Sequence, residues 1–265
     1  MSELNIVVCV KQVPATTEVR IDPETNTLIR EGLESIINPY DTHALEEALR
    51  IKKRLGGTVT VLSMGIPSVR EMLKDILALG VDQAVLLTDR RFAGACTLAT
   101  SYALASGVRK IGNFDLVICG KQATDGDTAQ VGPGLAEKLN VPHVTYVQKV
   151  EEIEHGYIKC NRVTDDGSET VELTLPAVIT VVKGINTPRL PSIGGIRKAL
   201  KDEVMVWDVD DVGVDENLVG IKGSATWVIK TFVPHYSTEC TMLTGSIQAQ
   251  ARALWDELIE RRGAL

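Results

Sequence analysis

Over its first 185 residues the chain alternates near-continuous apolar runs with longer stretches whose apolar residues recur every three or four positions. Continuous apolar runs separated by amphipathic stretches predict parallel strands covered by helices on both faces. Strands are expected at 5–10, 58–63, 84–88, 116–120 and 177–182. The first long helix should open at Asn38-Pro39-Tyr40-Asp41, with Asn38 as cap, Pro39 in the first turn and Asp41 facing the positive end of the dipole. Its apolar stripe is Ala44, Leu45, Ala48, Leu49 and Leu55, and Gly56-Gly57 ends it. Further helices are expected at 69–79, stopped by Gly80, and near 95–108 and 129–139.

Between 144 and 175 the period changes to two, with turn signals at His155-Gly156 and at Asp165-Asp166-Gly167-Ser168. That texture predicts antiparallel hairpins extending one edge of the sheet. From Lys183 to about Val219 no sustained pattern is visible, yet Ile193, Ile196, Leu200, Val204, Val206 and Trp207 are too apolar for a solvated linker. The expectation is an arm packed on a partner, followed by an amphipathic helix over 246–262 that carries Ile247, Ala251, Leu254, Leu258 and Ile259. The division is then an α/β domain over 1–185 and a C-terminal arm and helix over 186–265.

Composition narrows the function classes. The formal charge of −7 and the lack of a basic run argue against nucleic acid as the main partner. No apolar run reaches the roughly 20 residues of a membrane span, and the amino terminus lacks a signal-peptide pattern, so a cytoplasmic protein is expected. Cys9, Cys96, Cys119, Cys160 and Cys240 are widely spaced, indicating neither a disulfide framework nor zinc, and are read as buried thiols. Aromatic residues make up only 4% of the chain, leaving few rings to sandwich a base or a flavin.

The densest set of candidate ligand residues is Gly120, Lys121, Gln122, Ala123, Thr124, Asp125, Gly126, Asp127, Thr128, Ala129, Gln130 and Val131, between a strand and a helix. Open α/β sheets bind ligands at that place, with helix N-terminal amides available to phosphate. The same residues equally describe a glycine-rich turn in which Asp125 and Asp127 cap the helix, and local chemistry leaves both open. Cys9 and Met64, at two other strand ends, read as passive wall. No G-x-G-x-x-G, P-loop or Ser-Gly-Gly phosphate loop follows the first strand, which disfavours ATP chemistry. His43, His143, His155 and His235 lack ligand spacing, and no nucleophile elbow exists. Asp208, Asp210, Asp211 and Asp215 lack the glycine and glutamate of a calcium loop and read as a solvated acidic turn.

Four ordered blocks carry a family resemblance. They are Asn5-Ile6-Val7-Val8-Cys9-Val10-Lys11-Gln12-Val13-Pro14; Asn38-Pro39-Tyr40-Asp41 with Ala48; Gly120-Lys121-Gln122-Ala123-Thr124-Asp125; and the run from Arg162 through Asp165-Asp166-Gly167-Ser168 to Leu175-Pro176-Ala177-Val178. Together they resemble the small (β) subunit of electron-transfer flavoproteins along essentially the whole chain. The resemblance implies a Rossmann-like fold of the adenine nucleotide α-hydrolase type. It also implies a larger α subunit that holds FAD, and a nucleotide on this chain beside Cys9, Asn38, Asp41, Met64 and residues 120–131. Leu190, Pro191, Ser192, Ile193 and Ile196 are similar to the family's dehydrogenase-recognition loop, although the mixed charges from Arg197 to Glu203 depart from the basic run of mitochondrial-type members. The loop Asp125-Gly126-Asp127-Thr128-Ala129 looks like that of electron-bifurcating members. FAD is therefore expected in place of AMP, with NADH as donor, an acyl-CoA dehydrogenase-type partner, and ferredoxin or flavodoxin as low-potential acceptor.

Overall fold

The computed structural model describes residues 3–15, 35–154, 156–229 and 240–262, so His155 and His235 lie outside the described residues. The chain divides into two compact units, residues 1–229 and 230–265.

The first unit opens with β1 (Asn5–Cys9), β2 (Gln12–Pro14), β3 (Ser35–Ile37), α1 (Pro39–Leu55), β4 (Thr58–Met64), α2 (Val69–Leu77) and β5 (Gln83–Leu87). It continues with α3 (Thr97–Ile111), β6 (Leu116–Gly120), α4 (Val131–Leu139), β7 (His143–Glu154), β8 (Tyr157–Thr164), β9 (Gly167–Thr174) and β10 (Ala177–Val181). It closes with α5 (Ile193–Ala199), β11 (Met205–Trp207) and α6 (Val209–Val212). The second unit holds α7 (Ile247–Arg262), whose described side chains are almost all exposed, Leu254, Trp255, Leu258 and Ile259 included.

Nine strands form one sheet in the order β11-β5-β4-β1-β6-β10-β7-β8-β9. From β11 to β7 every neighbouring pair is parallel, and β7-β8-β9 continue as antiparallel hairpins. The mostly parallel α/β architecture and the hairpin extension are thus as the sequence pattern predicts. Side chains of β1 alternate between two cores, Ile6 and Val8 packing with α1 and α2, and Val7 and Cys9 with α3 and α4. Burial on both faces explains why the central strands read as unbroken apolar runs. Thr164 pairs with Gly167 around Asp165 and Asp166, and Gly167 takes φ 144, a value that favours glycine.

Several local readings change. Asn38 precedes α1 with extended backbone but makes no side-chain cap bond. Within the stretch read as an arm, β11 adds to the sheet beside β5, and α5 and α6 flank it, with Ala199 and Val209 in the two cores. Elements of three to seven residues are too short to reveal a period. A second small sheet, β2 with β3, was likewise unreadable. Of the cysteines, Cys9, Cys119 and Cys160 are buried, whereas Cys96 is half-buried and Cys240 exposed.

Candidate functional site

Sheet topology creates the site. The chain passes from β1 through α1 to β4 on one side of β1, whereas β6 lies on the other side, so the carboxyl ends of β1 and β6 part at a topological switch point. A crevice forms at such a point because successive crossovers leave in opposite directions.

One wall of the crevice comes from the start of α1. The Asn38 Nδ2 donates to the Gln122 carbonyl at 2.8 Å, and its Oδ1 accepts the Thr124 N–H at 3.2 Å. The residue read as a helix cap therefore fastens the 121–130 loop to the β1 side. Asp41 sits beneath, 6% exposed, and its Oδ2 accepts the Lys11 N–H at 2.7 Å. Burial pushes the Asp41 carboxyl up to about 7, against the opposing effects of the Asn38 amide, the Lys11 and Gly120 N–H groups and the Lys11 charge. Those donors sit at the ends of both β1 and β6, so Asp41 holds the floor of the crevice together and offers little surface to a ligand. Gly120 must lack a side chain, because a Cβ there would come within 2.2 Å of Asp41 Oδ1 and 2.7 Å of Tyr40 Cβ.

The opposite wall is the loop into α4. Residues 124–128 are exposed, and both Asp127 and Ala129 adopt left-handed backbone, φ 52 and 54. Left-handed backbone is uncommon at non-glycine residues and costs energy. Asp125 accepts two bonds from Lys11 Nζ, at 2.7 and 2.8 Å, and Asp127 Oδ1 accepts one from Gln122 Nε2. Neither aspartate caps α4, which begins at Val131 with no side-chain cap bond. Its first amides are oriented toward the loop and suit an anion. Gly132 packs on Thr180, whose Cγ2 would lie 2.3 Å from an added Cβ, so the start of α4 rests directly on β10. Lys121 donates its N–H to the Val181 carbonyl and lays its ammonium over the Tyr146 ring at 4.8 Å.

Cys9 and Cys119 pair in register across β1 and β6. The adjoining Cys9 thiol, together with burial, raises the Cys119 thiol, which keeps it protonated. Met64, half-buried, ends β4 two strand-ends from β6. The structure thus brings Cys9, Asn38, Asp41 and residues 120–131 to one crevice. It also adds Lys11, named in the first resemblance block without a ligand role, although a lysine directly after a buried strand was a visible signal. Two shallow concavities of about 500 and 460 Å³ are lined by Glu3, Asn5 and Asp115 and by Tyr102, Arg109 and Asp210, and include none of these residues.

The five residues likened to a recognition loop lie elsewhere. Leu190 and Ile193 are 88% and 77% exposed, and Ser192 caps α5 by accepting the Gly195 N–H at 3.0 Å. Just before them Arg189 makes a two-pronged ion pair with the buried Glu46 of α1, at 2.7 and 3.0 Å. Asn186 donates to the His43 carbonyl and to Glu47. Among the acidic residues 208–215, Asp208 caps α6 and Asp210 pairs with Arg91 at 2.8 Å.

Together these features define a doubly wound α/β chain with a crevice at its switch point, bounded by the start of α1 and the loop into α4. Residues 25–212 match the family described as the electron transfer flavoprotein domain. The chain is 50% identical over 259 residues to the electron transfer flavoprotein subunit beta of Thermoanaerobacterium thermosaccharolyticum, covering 97% of this chain and 99% of that one. It is 45% identical over 260 residues to the caffeyl-CoA reductase-Etf complex subunit CarD of Acetobacterium woodii, covering 97% and 99%. It is 44% identical over 270 residues to the protein FixA of Azorhizobium caulinodans, covering 99% and 96%. The chain belongs to the electron transfer flavoprotein family, as a β-subunit-type member. Among the described residues no helix is long and apolar enough to cross a membrane.

Proposed function

We propose that this chain is the β subunit of a heterodimeric electron-bifurcating flavoprotein and holds FAD on the switch-point shelf, in the cytoplasm. The observation that carries this reading is the open loop before α4. Nothing lies within 4 Å of a Cβ built on Gly126, and the helix start behind the loop lacks a side-chain cap. That leaves room and N–H groups for a pyrophosphate. The residues present fit such a group. Residues 124–131 would receive the phosphates, Asn38 holds the loop in place, and Cys9 and Met64 form the wall against the nucleoside. When bound, this flavin would supply the redox chemistry, with NADH as donor and with the FAD of the α subunit and a low-potential carrier such as ferredoxin or flavodoxin as acceptors.

An open shelf with few rings suits a site completed by the α subunit. The exposed Leu190, Pro191, Ser192, Ile193 and Ile196 are proposed to dock an acyl-CoA dehydrogenase-type partner, a reading supported by the name of the Acetobacterium relative as a subunit of a caffeyl-CoA reductase complex. The second reading is a simple carrier with structural AMP on the same shelf, because one phosphate also satisfies a helix start. Extraction of nucleotide from the purified heterodimer separates the two. Two FAD per pair supports bifurcation, and one FAD with one AMP refutes it. NADH-dependent bleaching of the flavin absorbance is expected only with the first.

A further inference from the structure

The nucleotide shelf described above is crossed by one contact that its topology does not require. Lys11 follows β1, and its backbone is fixed on both sides, its N–H donating to Asp41 Oδ2 and its carbonyl accepting the Asn38 N–H at 2.8 Å. From that root its ammonium spans the crevice to both oxygens of Asp125 in the loop before α4. The two side chains are 48% and 34% exposed. An ion pair in that much water contributes about 0–1 kcal/mol, so a stronger anion can displace it. The other loop carboxylate, Asp127, is engaged by Gln122. Without these two contacts the loop would set two unpaired negative charges before the helix start that is to receive phosphate.

Resting on the nucleotide reading of the shelf, we propose that Lys11 is a phosphate-binding residue, held on Asp125 until an adenine nucleotide takes its place. In the exchange no covalent bond forms or breaks. The ammonium stays protonated, leaves the Asp125 carboxylate for a phosphate oxygen, and Asp125 turns to water. The phosphate of AMP is a dianion and the pyrophosphate of FAD carries two charges over its two phosphates, so either offers a compact ammonium more charge and more acceptor oxygens than one carboxylate. Asp125 is then a competitor for the ligand's cation and not part of the ligand's own shell.

Competition and support predict opposite signs, which makes the test decisive. Calorimetric titration of the heterodimer, freed of the nucleotide on this chain, uses AMP, FAD and adenosine as probes. Lys11→Ala should weaken AMP and FAD by about five- to tenfold and leave adenosine unchanged, because adenosine has no phosphate to lose. Asp125→Ala should tighten AMP and FAD by about two- to fivefold, the worth of an exposed ion pair removed from the empty state. If Asp125→Ala weakens AMP and FAD, or either variant changes adenosine in parallel with AMP, the pair is a structural clasp and the proposal fails. Should Lys11→Ala not fold, the sign of the Asp125→Ala change decides alone. A wild-type heterodimer that binds neither AMP nor FAD on this chain refutes the nucleotide shelf itself, a different failure from binding with the wrong sign.

Discussion

Asp41→Asn isolates a buried carboxyl group without altering its shape, and its effect on stability follows from the displaced pKa. In the folded chain the carboxyl is raised from the ordinary 3.8 to about 7. The folded state therefore keeps a proton that the unfolded chain releases, and the contribution of this group is fully present below pH 3.8 and lost as pH rises to 7. At about 1.4 kcal/mol for each tenfold change, a rise of that size corresponds to about 4 kcal/mol. An asparagine at the same place has no charge at any pH, so hydrogen bonds it makes or loses set a constant offset and no slope. Urea unfolding of both proteins at half-unit intervals from pH 4 to 8 gives the difference curve, in which other titrating groups cancel. The stability of Asp41→Asn relative to the wild type should climb by about 3.5 kcal/mol between pH 4 and 7 and level above pH 7. A flat difference over that window would show that the carboxyl is solvated and that the floor of the crevice is not built as described.

Gly120→Ala should lower stability by about 1–3 kcal/mol in thermal or urea unfolding, because its Cβ meets Asp41 Oδ1 at 2.2 Å and Tyr40 Cβ at 2.7 Å in a packed floor; an unchanged midpoint would contradict the close approach. The Cys96 thiol should be alkylated by iodoacetamide with a rate midpoint near pH 7, since burial is outweighed by the Ala99 N–H, the Ser224 hydroxyl and the Ala225 and Leu98 N–H groups, which bring it down to about 7. Ser224→Ala should move that midpoint upward, and an identical profile would remove the hydroxyl from the account. Glu46→Ala deletes the acceptor of a part-buried bidentate pair, leaving Arg189 unpaired. Hydrogen exchange of residues 190–196 should accelerate about tenfold or more, while a helix such as α3 is unaffected; equal protection in both proteins would mean that α5 alone fixes the loop.

The sheet was legible because burial on both faces forces its strands to be continuously apolar, and Ile6, Val8, Val61, Ile118 and Ile179 report that directly. The hairpins were legible for the opposite reason, since one wet face imposes alternation, and Asp165-Asp166-Gly167 names its own turn. What escaped was held by contacts distant in sequence. Three residues of β11 become a strand only because β5 offers an edge, and β2 with β3 likewise depend on each other. Nor does local sequence distinguish a buried cysteine from a half-buried one. Cys96 and Cys119 each lie near apolar neighbours, and only the finished packing separates them.

At the crevice, the helix start was legible and the contacts of its side chains were not. Asn38-Pro39-Tyr40-Asp41 has the composition of a helix start, and a helix start it is, but both polar side chains turn away from that duty. Asn38 binds a loop 84 and 86 residues further along, and Asp41 accepts from the strand before it. Propensity rules count only neighbours in sequence, so a side chain recruited across the switch point is invisible to them. The consequence reaches beyond the shelf. On the same rigid helix, within two turns of Asp41, His43, Glu46 and Glu47 hold Asn186 and Arg189, the residues that lead into the exposed Leu190 and Ile193. One α-helix therefore fastens the proposed nucleotide loop at its first turn and the proposed docking loop at its second and third. A rise of 1.5 Å per residue puts these anchor points within about 14 Å along the axis. A displacement of α1 on filling the shelf would therefore be carried to the docking loop without any intervening hinge.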